Sequence, residues 1–158
     1  MISKNRIAAG LVLALSLATG ATSALAHDDA YLDTVKAPNG GQLRMAGMYH
    51  YELVLPKDAK EAKESPVVVY LTDHAGQKIP SAGATGTVTI LAGKLKASVT
   101  LQPDGDNRLK GVAKYAAVPD LKAVVSITLP GKAAEQARFT PMAMAMAMGK
   151  DAPMQKKP

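Results

Sequence analysis

Four methionines, Met142, Met144, Met146 and Met148, alternate strictly with alanine in the segment TPMAMAMAMGK, and five of the chain's eight methionines fall in its last seventeen residues. In an extended chain that spacing puts the four thioethers on one side. Thioether sulfur is a soft, uncharged ligand that prefers Cu(I) to zinc or magnesium. Unlike a thiol, it is not consumed as a disulfide in an oxidising compartment. Two other accounts fit the same pattern. Reversible oxidation to the sulfoxide would make the segment an oxidant sink, and compositional drift in a dispensable tail needs no function at all.

The three histidines carry the remaining ligand chemistry. His27 begins the run HDDAYLD, directly after a small-residue stretch ending Ala24-Leu25-Ala26. If the chain is cut there, the α-amine and the imidazole of His27 together chelate Cu(II), and a second histidine can complete the site. A frayed, solubilising terminus is the plainer reading. The second group is Met45, Met48, His50 and Glu52 in RMAGMYHYELV. On a strand, Met48, His50 and Glu52 share one face with neighbours about 6.5–7 Å apart, so two of them can share one metal. Tyr49 and Tyr51 then take the core face and leave His-x-Glu outward, where such a pair also occurs with no metal. His74, in TDHAGQK, reads as a β-turn residue beside Asp73 and Gly76. It gains interest only if the fold brings it near His50 or His27.

The folded part of the chain is expected to begin after residue 26. Residues 1–26 have Lys4 and Arg6, an apolar stretch from Ile7 to about Leu17, and the A-x-A motif of a secretory signal peptide. That expectation places the mature protein in the periplasm, soluble, with no membrane span. Loss of Lys4 and Arg6 lowers the formal net charge from +6 to +4. Such a charge is well short of a nucleic-acid-binding signature. With no cysteine and no tryptophan, one phenylalanine and five tyrosines, the fold needs an aliphatic core without disulfides. There is no cysteine nucleophile, G-x-S-x-G elbow, H-E-x-x-H helix or phosphate-cradling glycine loop, so the expectation is a non-enzyme.

After an N-terminal segment, 27–36, residues 37–140 read as one all-β domain. MYHYELVLP alternates with period two, and PVVVYLTD is a β-branched run of the kind covered on both faces. GTVTILAGKLKASVTLQ is a hairpin about Ala92-Gly93. RLKGVAKYA, LKAVVSITLP and EQARFT follow, separated by DGDN and by Pro130-Gly131. The expected fold is a single antiparallel β-sandwich (immunoglobulin-like) or small barrel of about seven to eight strands. KDAKEAKES, at 57–65, is left as a solvated loop or short helix. Pro141 ends the last strand, and 141–158 is expected to be a flexible Met/Ala/Lys-rich tail. Lys94, Lys96, Arg108, Lys110, Lys114 and Lys122 lie at outward strand positions, where they guard against edge-to-edge association or attract anionic envelope polymers.

Over Ala37 to Thr140, APNGGQLRMAGMYHYELVL, VVVYLTDHAGQKIP and the closing ARFT resemble a small periplasmic β-domain. That domain accompanies bacterial heavy-metal efflux systems, including the adaptor subunits of cobalt–zinc–cadmium and copper–silver exporters. Such domains often place a histidine before the Gly-Gly pair, where this chain has Asn39. The resemblance implies a sandwich fold and a metal-handling setting with efflux or other envelope proteins as partners. Together with the ligand groups, it sets the expectation of a periplasmic protein that binds or buffers a metal ion, with copper as the cofactor. The alternative is a structural or interaction module that docks on an envelope complex and binds no metal.

Overall fold

The computed structural model describes residues 29–143. A short helix, α1 (Asp29–Thr34), precedes eight strands: β1 (Gln42–Ala46), β2 (Tyr49–Val54), β3 (Lys63–Asp73), β4 (Thr85–Ala92), β5 (Leu95–Pro103), β6 (Arg108–Tyr115), β7 (Lys122–Thr128) and β8 (Ala134–Phe139). All ladders are antiparallel, and the strand order is β1-β2-β3-β6-β5-β4-β7-β8. The result is a nearly closed small barrel, as the turn-punctuated alternation leads one to expect.

Strand β5 makes the barrel's bend. Its residues Leu95–Leu101 pair with β4, and its last two, Gln102 and Pro103, pair with β6. The crossing requires Gly111 in β6. A Cβ there would stand 2.7 Å from the Thr100 carbonyl oxygen and 2.6 Å from a Val99 methyl. At the opposite side β1 and β8 are neighbours without a ladder. Gln42 spans this seam: its Oε1 accepts from the Thr140 N–H at 2.8 Å, and its Nε2 donates to Asp33 Oδ1 at 3.4 Å. Arg44, also facing inward, donates to Asp33 at 2.6 Å. Helix α1 thus sits beside the seam and satisfies two polar side chains that would otherwise be buried at a cost.

The core is aliphatic, with Tyr51, Tyr115 and Phe139 as its largest buried side chains. The two tyrosines are bound differently. The Tyr115 hydroxyl donates to the Pro66 carbonyl at 3.1 Å, whereas the buried Tyr51 hydroxyl has no hydrogen-bond partner among the described residues. Burial pushes the Tyr115 phenol up to about 12, and Asp58 adds to the rise. It drives Tyr51 higher still, with Glu135 and Tyr49 adding to the effect. A phenol whose folded pKa exceeds its unfolded value of about 10 stabilises the fold fully below pH 10, and that stability is lost as pH rises through the folded value. We expect alkaline unfolding to begin above about pH 10, tracked by phenolate absorbance and circular dichroism together. Tyr115→Phe should cost about 1 kcal/mol at neutral pH, while Tyr51→Phe should cost nothing or raise Tm.

Several sequence expectations change. Residues 57–62 form a loop, one of the two forms expected, but β3 begins at Lys63, inside the same segment. Ala59, in that segment, is buried, and its carbonyl accepts from the Ala117 N–H. The N-terminal segment holds α1. Finally, Pro141–Ala143 form a helical turn against the barrel, and Met142, only 5 % exposed, belongs to the core cluster. The core therefore runs past Thr140, and Met142 is a packing residue rather than the first thioether of a tail. Met144, Met146 and Met148 lie outside the described residues, as does His27.

Candidate metal centre

The outward face of β1, β2 and β3 carries the site. Its rows follow from the registers: Leu43 stands opposite Glu52 and Glu52 opposite Tyr70, while Met45 stands opposite His50 and His50 opposite Thr72. Directly opposed residues project to the same side of an antiparallel pair and approach closely. His74 is the first residue past β3 and opens the turn that follows it. Its turn is fixed by Asp73, whose Oδ1 accepts from the N–H groups of Ala75 and Gln77 at 2.9 and 2.8 Å. Gly76, at φ +78°, takes the left-handed position of this turn. Here the reading of Asp73 and Gly76 as backbone supports holds.

The two imidazoles meet. Their centroids lie 5.0 Å apart with planes 16° from parallel. His50 is buried and His74 is exposed, so the pair runs from the barrel wall to the surface. His74 thus meets the condition that made it interesting. No single-sequence signal could have shown this, because the contact depends on the β2–β3 register.

His50 and Glu52 do point away from the core, as expected, but they are not outward in the sense of exposed. Helix α1 and residues 35–41 fold over this face and reduce Glu52 to 3 % exposure and His50 to 9 %. Glu52 Oε1 accepts from the Asn39 and Gly41 N–H groups at 2.8 and 2.9 Å, and Oε2 accepts from Asn39 Nδ2 at 2.8 Å. Both oxygens are committed to holding this covering loop. That explains Asn39: at the position before Gly-Gly its side-chain amide and backbone together grip the carboxylate. Met48, 78 % exposed in the β1–β2 turn, is not part of β2 and does not share its face with His50 by strand alternation.

Between the covering segment and the sheet lies a cavity of about 490 Å³, bordered by Leu32, Leu43, His50, Tyr70 and His74. Tyr70 is steadied from outside by Arg108, whose guanidinium also pairs with Asp104 at 2.8 Å. Among the described residues there is no group of three or more His, Cys, Asp or Glu side chains able to hold a metal ion. What the fold gathers is smaller and of mixed type: two imidazoles, with a thioether one strand away. Among the described residues no helix is long and apolar enough to cross a membrane. Comparison with family models, characterised proteins and solved structures finds no match to this chain.

Proposed function

We propose that this chain is an exported periplasmic protein that binds copper through His50 and His74, with Met45 as the third donor, in the service of heavy-metal handling. The observation that carries the reading is the meeting of His50 and His74 at 5.0 Å beside a cavity. Imidazole nitrogen suits copper in either oxidation state, and a neighbouring thioether favours the softer Cu(I). Met45, directly across the ladder from His50, supplies that sulfur on the same face. Ligation needs the two rings to converge on one ion, and His74 is the ring that turns, because it is exposed on a turn while His50 is packed in the wall. Glu52 serves the covering loop in this account and is not a ligand. The resemblance of APNGG…ELVL and VVVYLTDHAGQK to efflux-associated domains agrees with this reading, as does the secretory leader.

The test is titration of copper into the parent protein and into His50→Ala, His74→Ala and Met45→Leu variants. Each histidine variant should weaken binding by tenfold or more. Met45→Leu keeps the bulk, so it should spare Cu(II) binding and weaken Cu(I) binding selectively. Lowering the pH should weaken copper binding, since the imidazole must shed its proton to bind metal. Equal affinity in the parent and both histidine variants would remove the site.

A further inference from the structure

We infer that the cavity above the histidine pair is a binding site for a small organic carboxylate with an apolar body. The inference does not rest on metal binding. At about 490 Å³ the space is far larger than a single ion needs and lies within the usual range of small-ligand pockets, roughly 300–1,000 Å³. One wall is apolar, from Leu32, Val35, Pro38 and Leu43, and the ring of Tyr31, 56 % exposed, stands at its border. The polar groups around it are unbalanced in sign. Lys36 and Lys78 both border the cavity, with His74 between sheet and solvent.

The acids nearby are occupied elsewhere. Glu52, the one carboxylate on the lining among the described residues, accepts three hydrogen bonds from Asn39 and Gly41. Asp29 and Asp33 of α1 point to Arg44, on the other side of β1. Lys78 reaches Asp106 at 3.8 Å, but both side chains are mostly exposed, and such a pair holds its lysine only weakly. Lys36 forms no ion pair among the described residues. An apolar pocket bordered by two lysines, whose only acid among the described residues is already satisfied, fits a ligand that brings its own single negative charge. The carboxylate would face Lys36 and Lys78, and the apolar body would lie against Leu32 and Leu43.

The test uses the mature protein stripped of metal with a chelator, so that loss of the copper site and loss of this one are separate results. Phenylbutyrate is the probe and phenylbutanol its uncharged counterpart, each followed by two-dimensional amide NMR. Phenylbutyrate should give saturable shifts centred on Leu32, Val35, Leu43 and Thr72. Phenylbutanol should bind at least about tenfold more weakly, and combined Lys36→Gln and Lys78→Gln should weaken phenylbutyrate roughly fivefold, the scale expected of exposed charge pairs. Ala75→Trp places bulk at the mouth from an exposed turn residue. It should abolish the shifts with Tm unchanged. No saturable shift in these residues, equal binding of the alcohol, or full binding by Ala75→Trp would each overturn the inference.

Discussion

Gly41→Ala is expected to lower stability by about 3 kcal/mol, the upper end of what forced overpacking costs. For a domain of this size that is a fall in Tm of roughly 10 °C. The reason is local and rigid. A Cβ on Gly41 would run into the Leu53 carbonyl oxygen, an atom fixed in the core strand β2. The backbone at Gly41 must therefore back away, and it carries one of the three donors to Glu52. Withdrawing that N–H leaves a buried carboxylate short of a partner, a second cost on top of the clash. Gly40→Ala offers a useful comparison. Gly40 is strained for any L side chain at φ +75°, yet a Cβ there meets nothing within 4 Å. It should cost only about 1 kcal/mol, the penalty for a left-handed residue. Thermal melts of the two variants separate close approach from backbone strain. Equal losses would mean that Gly41 does not hold the loop by proximity to Leu53.

The second large effect concerns Met142. Met142→Ala should cost about 2–4 kcal/mol, because it empties a packed position in the core cluster. Met142→Leu should cost less than about 1.5 kcal/mol, since volume and apolar character are kept. If Met142 were a copper ligand instead, the leucine variant would keep its Tm and lose copper. As a packing residue, Met142 leaves the leucine variant with its copper binding intact and a Tm lower by roughly 5 °C at most. Denaturant melts and a copper titration on the same two proteins decide this directly.

Much of the barrel is legible in the sequence because its strands announce themselves by alternation. Tyr51 and Leu53 are buried on the face that period two assigns to the core, whereas β3, expected to be covered on both faces, buries Val67, Val69 and Leu71 fully and leaves Val68 and Tyr70 only half-buried. Strand β1 is the exception, and its physics explains why. Two of its three inward residues are Gln42 and Arg44, so the hydrophobic alternation is broken where the strand borders the seam. Those two are tolerated inside because Asp33 on α1 and the Thr140 N–H past β8 meet them. The burial of His50 and Glu52 was hidden for a related reason. It is set by α1 and residues 35–41 folding back, and nothing in HYELV reports that. Pro141 correctly marks the end of a strand, but ending a strand does not end a core, and one helical turn brings Met142 back onto it.

The site was half legible. The residue types and the β2 face of His50 were readable, and so was the turn that holds His74. Their meeting was not, because it needs the pairing of His50 with Thr72. The spacing of Glu52 from His50 makes it a ligand candidate in the sequence, but in the fold both its oxygens are taken by Asn39 and Gly41. The Asn-Gly-Gly triplet was the signal for its real partner, since a turn of that kind turns N–H groups inward toward an acceptor.

In the proposed site, copper sits between His50 and His74 with the sulfur of Met45. X-ray absorption of the protein loaded with one equivalent of Cu(I) reads the donor set itself. The account predicts scattering from two imidazole rings and one sulfur. Met45→Leu should remove the sulfur shell while leaving both imidazoles. A spectrum with one imidazole or none, or with a sulfur shell that survives Met45→Leu, would contradict it.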